Sequence, residues 1–219
     1  MRVIFTYLNQ IQVTHLQQCN RFMYDKAVSR CQVSINTQPP VFFFRDPGRK
    51  GAKNKIFMLD VSALKLKERN LSMDIGEFNL KVISFRRAAF VTGGESNRKR
   101  CLKLYYDGGG QGTIPCREVQ QMLYRHKNHS VCKFQSRYLI VTGGVCQSRT
   151  EYYDTEQSES SQSAKWQNLG SLEEQRCQHA SQSTVNSIFV FFGYNFGDYK
   201  ALDSIEEKDM RGIDIKQAY

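Results

Sequence analysis

The sequence predicts a mainly β chain of about four repeated four-stranded units, preceded by two or three short N-terminal helices. Three observations predict it. The tetrapeptide Val-Thr-Gly-Gly stands at 91–94 and again at 141–144, and the same offset of 50 residues lands on Gly193, at the end of the apolar run Ile188 to Phe192. The runs Ala88 to Val91, Tyr138 to Val141 and Ile188 to Phe192 are short and continuously apolar, the pattern of strands buried on both faces. In the first thirty residues the apolar positions instead recur at roughly helical spacing.

Taken in order, Ile4, Leu8, Ile11, Val13, Leu16, Phe22 and Val28 give the helical pattern, with Asn9 placed to end one short helix before another begins near Gln12. Pro39-Pro40 fixes the backbone and removes two N–H donors, so it marks a stiff boundary between a helical segment, 1–38, and the strands of 39–219. Val41 to Phe44 and Ile56 to Asp60 have strand character without glycine pairs. The unit at 129–193 is the clearest, with strands expected near 129–134, 138–142, 150–153 and 165–169. The pairs Gly93-Gly94 and Gly143-Gly144 end strands where positive φ and close approach by a neighbour are possible because no Cβ intervenes. His129 and His179 keep the offset of 50, each 14 residues before the first glycine of the following pair, which suits a structural role at the start of a strand. At the third recurrence Tyr194 stands in place of a second glycine, and the last unit, from Ser187, ends before a fourth strand.

Downstream of each pair comes an aromatic stretch closed by acid, Leu104-Tyr105-Tyr106-Asp107 and Glu151-Tyr152-Tyr153-Asp154, the second followed by Trp166. These residues resemble the kelch repeat, in which an apolar strand ending in Gly-Gly is followed by Tyr-Asp and then Trp. The resemblance implies a kelch-type β-propeller, with Trp166 packing on the glycine surface. Kelch propellers usually have six or seven blades, on the order of 300–350 residues at this period. Four units at most are present. A partial ring leaves apolar faces uncovered. The chain is then a fragment, a small four-bladed ring, or a ring completed by another chain, and truncation or degeneracy is the favoured reading.

The stretch from Tyr7-Leu8 through Leu16 to Phe22-Met23-Tyr24 resembles the back half of an F-box, although the Leu-Pro opening of that motif is missing. It implies docking of a Skp-type ubiquitin-ligase adaptor through Leu8, Leu16 and Phe22. The alternative is a helical cap over the first unit.

The net charge of +10 is uneven: 23 Lys and Arg against 9 Asp and Glu through residue 133 give +14, and the remainder carries −4. The basic runs are Arg45 to Lys55, Arg86-Arg87 and Arg98-Lys99-Arg100. They suit either acidic partners or edge-protecting charge, the second being favoured. Seven cysteines without a Cys-x-x-Cys pair suggest neither a zinc ribbon nor a complete disulfide framework, and reduced thiols fit a cytoplasmic protein. The N-terminus has no long apolar core and cleavage site of a secretion signal, and no apolar run approaches the roughly 18 residues that span a bilayer.

Catalytic chemistry finds little support. His126, His129 and Cys132 are metal-ligand types, but on an extended strand residues three apart point to opposite faces. The run Asp107 to Gly112 lacks the Lys-Ser/Thr ending of a phosphate loop and reads as a connection between strands. No nucleophile elbow or paired-carboxylate signature is present. The expectation is a non-enzymatic protein-interaction scaffold without metal or cofactor, with a cullin-type ligase receptor as its specific form. A basic nucleic-acid or anionic-surface binder is the alternative.

Overall fold

The computed structural model describes residues 41–44, 55–60, 65–75, 79–85, 88–105, 112–156 and 165–211. The F-box-like segment, Pro39-Pro40, Arg86-Arg87, Tyr106, Asp107 and the loop 157–164 lie outside the described residues, as does most of Arg45 to Lys55. Among the described residues every helix or strand element is a strand, and none is a helix long and apolar enough to cross a membrane.

The strands form successive antiparallel sheets, none closed on itself. The first sheet contains β1 (Val41–Phe44), β2 (Lys55–Asp60) and β3 (Lys65–Asn70). The second contains β4 (Leu80–Ser84), β5 (Ala88–Gly93), β6 (Cys101–Tyr105) and β7 (Cys116–Glu118). The third contains β8 (Ser130–Phe134), β9 (Tyr138–Gly144), β10 (Gln147–Asp154) and β11 (Gln167–Ser171). In the fourth, β12 (Ala180–Ser183) and β13 (Ser187–Phe191) are followed by a separate hairpin of β14 (Tyr194–Asn195) and β15 (Lys200–Ala201) before the chain returns as β16 (Ile205–Asp209). Four strands per unit therefore hold for the second and third sheets. The first and fourth have three among the described residues.

Among the described residues, alternation along the central strands builds three cores. In β5, Ala89 and Val91 join Ile56 and Met58 of the first sheet, while Ala88 and Phe90 join Leu139 and Val141 of β9. The other side of β9 sends Tyr138 and Ile140 against Ile188 and Val190 of β13. A strand covered on both faces has no polar side to present, which is why these runs are apolar without interruption. Each fully buried Leu, Ile, Val or Phe contributes roughly 1.5–3 kcal/mol. Hydroxyl contacts also tie neighbouring sheets: Ser130 and Ser181 oxygens lie 2.7 Å apart, joining β8 to β12.

Pairing corrects the expected alignment of the fourth unit. Val141 pairs with Val131 and Glu151, and Val190 pairs with Ser181 and Glu206. Val190 thus takes the place of Val141, so Phe192 stands where Gly143 does and Gly193 where Gly144 does. Backbone angles agree: φ is +57° at Phe192 and +58° at Gly143. The cause is a shorter turn. Three residues, 135–137, separate the paired Phe134 and Tyr138, whereas two, 185–186, lie between Thr184 and Ser187, whose backbone N–H and C=O close the turn at 2.8 Å.

Candidate functional site

The glycine pairs receive histidines, each from the unit that follows. A Cβ on Gly93 would lie 2.5 Å from His129 Cε1 and 2.7 Å from the His126 carbonyl oxygen. On Gly143 it would lie 2.5 Å from the Arg176 carbonyl oxygen and 2.8 Å from His179 Cε1. With φ of +73° and +58°, both positions favour glycine on conformation as well as space. The threonines just before them complete the cradle, Thr92 Oγ1 meeting His129 Nε2 at 2.8 Å and Thr142 Oγ1 meeting His179 Nε2 at 2.9 Å. Burial, then the charges of His126, Lys81 and His179, hold His129 well below its ordinary pKa, and burial with the nearby Arg176 charge pushes His179 down to about 3. Both rings are therefore neutral at physiological pH. Gly94 (φ +132°) and Gly144 (φ +136°) continue the bend, and Gly193 (φ +107°) packs against Cys177 and His179.

Trp166 does not occupy the glycine surface. Its ring packs on Tyr153 with centroids 5.4 Å apart, and its Nε1 donates to Gln120 O at 2.9 Å. The rings that pack on Gly93 and Gly143 are the imidazoles of His129 and His179. Asp154, beside the buried Tyr153, accepts from Arg137 Nε at 2.9 Å and Nη2 at 2.5 Å, fixing the turn between β8 and β9.

A second device, not found in the sequence, fixes the connections between sheets. Glu151 of β10 accepts from Leu123 N at 2.7 Å, Tyr124 N at 3.1 Å and His126 Nε2 at 2.7 Å, while His126 Nδ1 meets Gly143 O at 2.6 Å. Both side chains of this pair are closed to solvent. Glu206 of β16 repeats it, accepting from Glu173 N at 2.6 Å, Glu174 N at 3.3 Å and Arg176 Nη2. The buried Arg176 also donates to Phe192 O at 3.0 Å and Ser204 Oγ at 3.0 Å. His126 and His129 thus serve different junction contacts, and Cys132 lies in the core between the third and fourth sheets. Among the described residues no three His, Cys, Asp or Glu side chains gather to hold a metal ion.

These clamps hold a continuous seam of loops. Met122 N and His126 N donate to Lys99 O and Arg98 O at 2.9 and 2.8 Å. Val145 N donates to Lys127 O at 2.9 Å, Gly144 N to Arg176 O at 2.9 Å, and Gln178 N to Asn128 O at 2.7 Å. Cys177 and Tyr194 exchange both backbone bonds, at 3.0 and 2.9 Å. Five connections, 94–100, 119–129, 145–146, 172–179 and 192–204, are therefore joined edge to edge. The exposed side chains they carry include Arg98, Arg125, Leu123, Phe196 and Tyr199. The Arg-Lys-Arg run lies in the first of these loops, where Arg100 Nε pairs with Glu118 at 3.0 Å.

No family model and no curated protein matches this chain. Among solved structures it is similar to one described as "Structure of YjhT", with a TM-score of 0.55 and 13% sequence identity, over 71% of this chain and 52% of that chain. The chain spans about half the length of that structure, and at this identity the likeness concerns the fold alone.

Proposed function

We propose that this chain is a non-enzymatic protein-binding scaffold of kelch type, its sheets stacked radially as blades of a partial β-propeller and its loop seam serving as the recognition surface. The observation that carries the reading is the seam itself. Five loops held by backbone hydrogen bonds and by the carboxylates of Glu151 and Glu206 present cationic and aromatic side chains at little ordering cost, as recognition loops on a rigid scaffold do. The repeated glycine–histidine cradle supports the stacking.

The test is selection from a displayed peptide library on the full chain. Enriched peptides are expected to lose at least about ten-fold in affinity, or roughly 1.4 kcal/mol, on Arg125→Ala or Phe196→Ala, with thermal stability unchanged. Absence of enrichment, or binding indifferent to both substitutions, refutes the recognition surface. Delivery to a ubiquitin ligase rests on the F-box-like residues and is checked separately, by binding of a purified Skp-type adaptor to the chain and to its Leu8→Asp and Phe22→Asp variants.

A second reading follows from the +14 charge of the first 133 residues and the exposed Arg98 and Arg125: attachment to a nucleic acid. Binding of single-stranded or duplex oligonucleotides that falls steeply with salt would favour it, and no binding at low salt removes it.

A further inference from the structure

We propose that the open face of the fourth sheet is covered by the first sheet of a second copy of this chain, packed head to tail; the inference rests on the stacked-sheet reading above. The central strands β5 and β9 each feed two cores from their alternate residues. Among the described residues the strand β13 feeds one, through Ile188 and Val190. Its other side carries the partly exposed Phe189 and Phe191, ring centroids 6.4 Å apart, and Phe192 follows 6.3 Å from Phe191. Phe192 is 53% exposed, and Ile205, which pairs with Phe191, is 54% exposed.

This face differs in chemistry from the two junctions before it. Thr92-Gly93 and Thr142-Gly143 each cradle the histidine of the next unit. The equivalent positions in the fourth sheet are Phe191 and Phe192. A Phe pair leaves no room and no hydroxyl for an imidazole, so this face is not shaped for another histidine-led unit. The first sheet fits it. Ile56 and Met58 enter the core shared with the second sheet, while Phe57, between them, is partly exposed. Pro40 precedes the first residue of β1, whereas His129 and His179 precede β8 and β12.

Charge selects the orientation. The first sheet carries Lys55, Lys65, Lys67 and Arg69 against Asp60 and Glu68, and β16 carries Glu206, Glu207 and Asp209 against Lys208, so head-to-tail contact joins opposite signs. Two fourth sheets face to face would bring together copies of the exposed Glu207, on the same side of β16 as Ile205. A heterologous contact made twice closes a two-copy ring.

Sedimentation velocity of the full chain over a wide concentration range tests this. The expected result is a dimer that Ile205→Asp and Phe57→Asp each weaken at least about ten-fold, whereas mixing the two variants restores association through the one contact left intact. Circular dichroism and Trp166 fluorescence check that the variants are folded. A monomer at every concentration overturns the proposal, as does a dimer indifferent to Ile205→Asp, or one weakened by Ile205→Asp and not by Phe57→Asp. Ser130→Cys with Ser181→Cys separates the two readings: if an inter-sheet disulfide forms in a monomer, stacking stands and closure alone fails; if none forms, stacking fails too.

Discussion

Glu206 repeats, one unit later, the bonding of Glu151. Each carboxylate takes two consecutive backbone N–H groups and one nitrogen of a buried side chain, and the residues it takes, Leu123, Tyr124 and His126 or Glu173, Glu174 and Arg176, are 50 positions apart. In the third and fourth sheets the third strand thereby holds the connection that arrives from the sheet before. A backbone N–H turned inward at such a corner has no strand partner, and the carboxylate satisfies two at once.

Glu151→Ala is expected to destabilise the protein by about 3–5 kcal/mol, because it strands the His126 ring and two backbone donors in a site closed to water. Glu151→Gln keeps an acceptor and its cost is expected to be smaller. Urea unfolding followed by fluorescence separates the two, and equal, small effects would show that the clamp contributes little.

Gly143→Ala is expected to cost about 3 kcal/mol, since the new methyl meets a backbone oxygen in a left-handed conformation. Gly112→Ala is the control: nothing lies within 4 Å of a Cβ there, and the change is expected to stay within about 1 kcal/mol of neutral. Thermal melts of the two variants check the contrast.

What the sequence revealed was whatever repeats at a fixed interval. The buried strands, the paired glycines and His129 with His179 share the offset of 50 and stand out on inspection. The clamp does not. The side chain that meets the carboxylate is His in one unit and Arg in the next, and the hairpin β14–β15 pushes Glu206 to 55 residues beyond Glu151, so neither residue type nor spacing is kept. The shortened turn at 185–186 hid the equivalence of Phe192 with Gly143 in the same way. The partner of Trp166 was misread because nothing in local sequence distinguishes a ring on glycine from a ring on Tyr153.

Stability should fall as the pH is lowered from about 6.5 toward 3. The folded pKa values of His129 and His179 are depressed, so in this window the unfolded chain binds protons that the folded chain refuses. Their contribution is fully present above the unfolded value and is lost on acidification, at up to about 1.4 kcal/mol per pH unit for each ring. Urea midpoints measured between pH 7.5 and 5 check it. The double variant His129→Gln with His179→Gln is expected to show a flatter profile, and an unchanged slope would locate the acid sensitivity elsewhere.

Cys146 is expected to react first among the five described cysteines. Thiol reagents attack through the thiolate, so both access and ionisation decide the rate. Cys101, Cys132 and Cys177 are buried, and burial raises the pKa of each, that of Cys132 to about 12. Cys116 is half-buried with its sulfur 3.3 Å from Ser72 Oγ, whereas Cys146 is exposed in the turn between β9 and β10 with φ of +58°. Brief native alkylation followed by peptide mass mapping should find Cys146 modified and the three buried thiols spared until denaturant is added. Equal labelling of Cys132 would mean that the core between the third and fourth sheets opens readily. Because Cys146 adjoins the hydrogen bond from Val145 to Lys127 in the loop seam, a fluorophore placed on it should also respond when a peptide binds there, which joins this chemical test to the recognition surface.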